Sequence, residues 1–159
     1  MSEITIRPAC RSDAETIGVI GHAAWRKGIV GHVGPAARAR IGPETFADFA
    51  ESHTAQIVVA EDDDALLGFA ATETGDNTIS DLWVAPVAEG RGVGTSLMRA
   101  LEAIIAERGH EQAEVEVLAE NHRALSLYRH LGYEVVWRGV RDDQVLLVPL
   151  TKILLSKRL

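Results

Sequence analysis

Gly90, Gly92 and Gly94 alternate with Arg91 and Val93. They lie between an apolar run at residues 79–84 and a stretch whose apolar residues Val93, Leu97, Leu101, Ile104 and Ile105 recur on one helical face. Without Cβ atoms, three glycines let a backbone approach a ligand closely. A strand, a glycine turn and a helix in that order aim unpaired N–H groups and the positive end of the helix dipole at one point. That is the chemistry for holding a phosphate or diphosphate. Two known phosphate loops are excluded by residue type. A Walker loop needs Lys-Ser or Lys-Thr after its last glycine, but Gly94 is followed by Thr95-Ser96; a dinucleotide loop needs a further glycine where Leu97 stands. A glycine turn packed for sterics alone is the other reading.

The elements that must position this loop are read from periodicity and punctuation. Pro86 stops the strand before the glycines, and Gly109 is placed to end the helix after them. Residues 4–7 alternate and predict a first strand. Ser12 and Glu15 have capping-box spacing, so a helix is expected near Asp13, with Ile17, Ile20 and Ala24 inward and fraying near Gly28. Residues 28–43 hold Gly28, Gly31, Gly34, Pro35, Gly42 and Pro43 and predict a mobile connection. A second short helix from Pro43 would turn Phe46, Phe49 and Ala50 inward. Residues 56–60 and 66–72 predict strands joined by an acidic turn at 61–64, and the Gly75 turn leads into a strand at 78–84. Residues 113–118 predict another strand, and Asn121 caps a helix at 122–131 ended by Gly132. Strands at 134–138 and 144–150 close the pattern, and the last residues carry no assignment. Early helices, an antiparallel run and then βαβα give an α/β (α+β) class with a mixed sheet.

A second stretch carries further polar groups. Residues 116–121, Glu-Val-Leu-Ala-Glu-Asn, are followed by Ala124, Tyr128 and Leu131-Gly-Tyr-Glu. Tyr128 follows Asn121 by seven residues, two helical turns, so both can face one cleft. Ala124, Leu127, Tyr128 and Leu131 also form a helical stripe, so Tyr128 reads equally as core. Taken together, Arg91-Gly-Val-Gly-Thr95 after a strand ending Val-Ala-Pro, and the Asn–Tyr–Leu-Gly-Tyr stretch about thirty residues later, resemble the two motifs of the GNAT superfamily of acetyltransferases. Gly92 and Gly94 match the family's loop. Glu89 stands where the family has Gln or Arg and puts an acid close to a diphosphate.

The resemblance covers nearly the whole chain, as one domain over residues 1–159. It implies a mixed, mostly antiparallel central sheet of about six to seven strands flanked by about four helices. It implies acetyl-CoA as the acyl donor, its diphosphate held by the backbone of Glu89, Gly90, Arg91, Gly92, Val93, Gly94 and Thr95. Leu82 and Val84 would offer free backbone groups to pantetheine, and an N–H there would polarise the acetyl carbonyl. Asn121 and Ala124 would touch the pantetheine arm. Tyr128 would protonate the departing thiolate, and an amine nucleophile needs a general base. Glu116 has the spacing of the base in ribosomal-protein N-terminal acetyltransferases, five residues before Asn121, and Asp81 is the second candidate. Glu114 shares the strand face of Glu116.

Composition bounds the alternatives. A net charge of −7 without a basic patch argues against nucleic acid and suits a cationic acceptor. The single cysteine, Cys10, forms no internal disulfide, which fits a reducing cytoplasm. Residues 1–10 lack the apolar segment of a leader, and no run of ~20 apolar residues could span a bilayer. His110, His122 and His130 lack metal-ligand spacing, so no metal is expected; His22 and His32 read as surface residues. Trp25, Trp83 and Trp137 are candidates for an acceptor pocket, with walls from residues 25–45 and 139–143. The expected function is transfer of acetyl from acetyl-CoA to a primary amine, on a small molecule or a peptide N-terminus. The alternative is a non-catalytic acyl-CoA-binding or regulatory domain. A homodimer is a tendency of the resembled family.

Overall fold

One extended stretch after the Gly75 turn is shared between two sheets. The computed structural model describes residues 3–73 and 75–159, without the Val30 side chain; residues 1 and 2, part of the stretch read above for a leader, lie outside them. In chain order the elements are β1 (Thr5–Pro8), α1 (Ala14–Gly28), α2 (Pro35–Arg38), α3 (Pro43–Ser52), β2 (Ile57–Glu61), β3 (Leu66–Ala71), β4 (Thr78–Ile79), β5 (Asp81–Val84), α4 (Val93–Glu107), β6 (Gln112–Leu118), α5 (His122–His130), β7 (Glu134–Asp142) and β8 (Pro149–Arg158). One sheet has the order β1-β2-β3-β5, the other β4-β6-β8-β7. All pairings are antiparallel except β4 with β6. The mixed, mostly antiparallel α/β class is therefore as expected. The strand count rises because residues 78–84 serve as two strands, parting at Ser80.

The first sheet is covered on both faces, which is why its strands read as apolar runs rather than alternating ones. Val59, Ala60, Phe69, Ala70 and Ala71 are all fully buried. A Cβ at Gly68 would point at Leu97 of α4, so the neighbouring Phe69 projects from the opposite face, where α1 packs. The α4 stripe of Val93, Leu97, Leu101 and Ile105 is buried as its period predicts; Met98 joins it, and Ile104 is only partly covered. Each such aliphatic side chain contributes about 1.5–3 kcal/mol relative to exposure. In the second sheet β6 alternates cleanly: Ala113, Val115 and Val117 face inward, and Glu114 and Glu116 face the other way.

Three local expectations are corrected. The Ser12–Glu15 capping box does not form. A 3-10 turn at Arg11–Asp13 precedes α1, and Asp13 instead accepts the Cys10 N–H at 2.7 Å. The cause is Arg7, whose guanidinium donates to both Asp13 oxygens at 2.9 and 3.0 Å while its Nε donates to Glu61. Residues 28–43 are folded rather than open: a 3-10 turn at Val30–His32 and the single turn of α2 bury Val33 and Ala37, and the Arg38 Nε donates to the Val33 carbonyl. The expected strand at 144–150 is a turn for most of its length. The Asp143 carboxylate accepts the N–H groups of Val145 and Leu146, a local alternative to a strand ladder. The last strand is β8, which keeps only Pro149 and Leu150 of the expected strand and otherwise runs on residues the sequence pattern did not assign, and it lies between β6 and β7.

Glu102 of α4 ties the two layers. It is buried, accepts the Tyr133 hydroxyl at 2.7 Å, and pairs with Lys157 of β8 at 3.0 Å. Glu102→Ala leaves a phenol and an ammonium without their partner and should cost about 3 kcal/mol. Glu102→Gln keeps an acceptor for Tyr133 and should cost less. Urea denaturation of the two variants checks the order.

Candidate functional site

Glycine is required where the chain turns from β5 into α4. Gly90 and Gly92 have φ of +81° and +80°, a region that side chains with a Cβ rarely enter. The first bond of α4 runs from the Ser96 N–H to the Gly92 carbonyl. Among the described residues, no backbone or side-chain acceptor meets the N–H groups of Gly90, Arg91, Gly92, Val93, Gly94 or Thr95. All except Arg91 line a cavity of about 500 Å³, which Glu89 also lines. The Arg91 side chain turns away, 3.2 Å from Asp62. A fan of free donors at a helix start, open to a cavity, is a fitting seat for a diphosphate.

The parting of the strands at Ser80 exposes a second set of backbone groups. Successive N–H groups along a strand point to opposite sides. The Ala85 N–H donates to Leu67 of β3 at 2.8 Å, which turns the amides of Leu82 and Val84 away from β3. No described strand pairs with β5 on that side. A larger cavity, about 870 Å³, opens there. Its walls include Trp25, Phe46, Phe49, Asp81, Glu116 and Tyr128, and it shares Leu82, Trp83, Asn121 and Ala124 with the first. The two cavities therefore meet in the gap between β5 and β6.

Among the ionisable groups that line the larger cavity, Asp81, Glu116 and Tyr128 stand in different settings. Asp81 accepts the Trp83 indole N–H at 3.2 Å and the Ser80 hydroxyl at 2.9 Å, and no cation pairs with it among the described residues. Burial pushes its pKa up; the bonds from Trp83 and Ser80 oppose this in part, and the charge of Glu73 adds to it. Glu116, by contrast, is occupied: its Oε2 accepts from Arg141 at 2.7 Å, and Lys152 lies 3.5 Å from its Oε1. The Tyr128 ring is buried edge-on to Tyr133, yet its hydroxyl has no protein partner among the described residues. Burial, with a smaller effect from the Asp81 charge, raises the phenol pKa and keeps it protonated.

The candidates thus fall into one region. Asn121 caps α5, its Oδ1 accepting the Ala124 N–H at 3.2 Å, and borders both cavities. Ile29, Ile41 and Thr45 from the early segment, and Arg141 and Asp143 near the β7–β8 turn, line the larger cavity. Trp137 does not: the Arg141 guanidinium lies 4.1 Å from its ring centroid, outside the cavity lining. His22 packs on Trp25, and His32 lies 3.0 Å from Glu120 at the rim of the smaller cavity. Sequence reasoning missed Lys27 and Arg123, which converge on Glu89, and Lys152, which comes from the unassigned last strand. No local signal marks any of the three. No group of three or more His, Cys, Asp or Glu able to hold a metal occurs among the described residues, and no helix there is long and apolar enough to cross a membrane.

Comparison with known proteins points to one family. The model of the "Acetyltransferase (GNAT) family" matches residues 23–133. The chain is 35% identical over 82 residues to a mycothiol acetyltransferase of Clavibacter sepedonicus, covering 50% of this chain and 27% of that one. It is 33% identical over 63 residues to the thialysine N-epsilon-acetyltransferase of Mus musculus, covering 39% and 37%. The matched stretch thus spans well under half of either relative's length. Among solved structures, a GCN5-related N-acetyltransferase from Rhodopseudomonas palustris superposes with a TM-score of 0.78 at 25% identity, over 100% of this chain and 98% of that one. PaiA N-acetyltransferase of Thermoplasma acidophilum, solved with coenzyme A, gives 0.73 at 20% identity over 99% of both and shares the fold.

The raised pKa of Asp81 has a consequence for stability. A carboxyl whose folded pKa exceeds its unfolded one stabilises the fold when protonated, and that stability is lost as pH rises through the folded pKa. Ionised Asp81 is therefore a burden at neutral pH. Asp81→Asn, which keeps an acceptor for Trp83, should melt at the same temperature or higher at pH 7. The difference should vanish near pH 4, the ordinary carboxylate range. Thermal melts at both pH values test this, and a clear loss at pH 7 would contradict it.

Proposed function

Because this chain belongs to the GNAT acetyltransferase family, we propose that it transfers the acetyl group of acetyl-CoA directly to a primary amine. The carrying observation is the fan of unpaired amides from Gly90 to Thr95, open to a cavity that meets a second cavity at Leu82, Trp83, Asn121 and Ala124. The names of both relatives as acetyltransferases support the same reading. Acetyl-CoA supplies the activated acyl group. The amides of residues 90–95 receive its diphosphate, and the outward amides of Leu82 and Val84 receive the pantetheine arm and polarise the acetyl carbonyl.

The larger cavity receives the amine. An ammonium cannot attack, so a base must take its proton. Asp81 suits this role better than Glu116. Burial raises its pKa, and no cation is paired with its oxygens among the described residues, whereas Arg141 and Lys152 hold both oxygens of Glu116. As the nitrogen–carbon bond forms and the carbon–sulfur bond breaks, the sulfur needs a proton. The Tyr128 hydroxyl, protonated and unpartnered, donates it. Glu116, with Arg141 and Lys152, forms a fixed wall on the acceptor side. A small molecule or a peptide N-terminus fits this role for the acceptor.

Calorimetry with acetyl-CoA or CoA tests the reading first: binding should be measurable below ~1 mM, and its absence there would sink the assignment. Tyr128→Phe should lower kcat by roughly 10-fold or more. Its melting temperature should not fall, because the hydroxyl it loses has no protein partner among the described residues. An unchanged kcat, with chemistry rate-limiting, would return Tyr128 to packing. The acid limb of the kcat/KM–pH profile should lie above the ordinary carboxylate range and disappear in Asp81→Asn. Binding without thiol release across a broad amine panel would favour a non-catalytic acyl-CoA-binding domain.

A further inference from the structure

Glu89 occupies the mouth of the diphosphate cavity, and its carboxylate is already engaged. Its Oε2 receives the Lys27 Nζ at 2.5 Å and the Arg123 Nη1 at 2.6 Å. Lys27 lies in the last turn of α1 and Arg123 in the first turn of α5. All three residues line the cavity onto which the free amides of residues 90–95 open. The two cations are half exposed or more, whereas the carboxylate between them is largely covered. The Lys27 contact, then the Arg123 contact, lowers the Glu89 pKa, so the group is ionised at neutral pH. Two cations and one anion leave this part of the mouth with a charge of about +1. The other ionisable groups on the rim are His32, which is paired with Glu120, and His122. The remaining nearby cation, Arg91, points to Asp62.

We propose that Glu89 is a built-in counter-anion of the diphosphate site, which holds Lys27 and Arg123 at the mouth and yields them to the incoming phosphates. This rests on the acetyl-CoA reading above and adds a device to it. In the free protein the carboxylate keeps two like charges together and draws the end of α1 toward the start of α5. When a diphosphate settles on the loop amides, the same two cations are within reach of a second, more highly charged anion. The carboxylate then remains as a like charge beside the phosphates. It therefore weakens the grip on the carrier and hastens release of the free thiol form after transfer.

The test is the dissociation constant of CoA at low ionic strength for the intact chain and its variants. Glu89→Gln removes the anion and frees both cations, so CoA should bind about 3- to 10-fold tighter, the range for screened, partly exposed charges. The gain should appear as slower dissociation and shrink as salt is raised. The double variant Lys27→Gln, Arg123→Gln should bind about 3- to 10-fold weaker than the unaltered chain. 3′-Dephospho-CoA should show the same pattern, because the diphosphate is intact in it; loss of the pattern would place the cations on the 3′-phosphate and overturn the assignment. CoA binding by the unaltered chain, with Glu89→Gln unchanged or weaker at an unchanged melting temperature, would overturn this proposal alone. Failure of the unaltered chain to bind CoA would overturn the acetyl-CoA reading as well.

Discussion

The interaction on which the rest depends is the parting of β4 from β5 at Ser80. A strand inside a continuous sheet has its amides satisfied on both sides, and a buried one left unpaired is costly. Here β4 pairs with β6, and β5 pairs with β3. The Ser80 N–H still reaches the Ala71 carbonyl, so the break is sealed on the first-sheet side. On the other side the amides of Leu82 and Val84 face an open gap. The same divergence makes room for both cavities and brings Asn121 and Tyr128 of α5 beside it. Two sets of unpaired amides, in this gap and at the Gly90–Thr95 turn, thus open onto the same region.

Electrostatics within that region are uneven in a way residue types alone do not reveal. Asp81 and Glu116 stand on facing strands and line the same cavity. Glu116 is held by two basic side chains from the second sheet. Asp81 has an indole N–H and a hydroxyl as partners and no paired cation among the described residues, and the charge of His53 is the least of the effects that oppose its desolvation. The contrast arises because one faces the charged β7–β8 hairpin and the other lies beside Trp83 of its own strand, on which Phe46 of α3 packs edge-on.

Much of the fold was legible where the signal was local. The glycine alternation before Leu97, the α4 stripe and the Asn121 cap all depend on residues within a few positions of one another. What depended on distant partners was not legible. The expected Ser12–Glu15 box gave way to a turn in which Asp13, held by the distant Arg7, accepts the Cys10 N–H. The Asp143 turn displaced most of the expected closing strand, and β8 arose mainly where no pattern had been assigned because its partners lie on both sides, on β6 and β7. Glu89 could be seen to depart from the family's residue, but Lys27, 62 positions away, could not be seen to meet it. The division of residues 78–84 between two sheets left no mark on its composition.

The placement of β8 carries a consequence for how the chain assembles. It is the last element in chain order, yet it sits between β6 and β7, and its Lys157 reaches back to α4. On the ribosome, the first sheet with α1, α3 and α4 can form while β6 still presents a bare edge. Such an edge is a template for pairing with other chains. Closure of the second sheet must wait for the final strand to thread into its slot, so the nascent protein passes through a stage in which half its scaffold is open to mispairing.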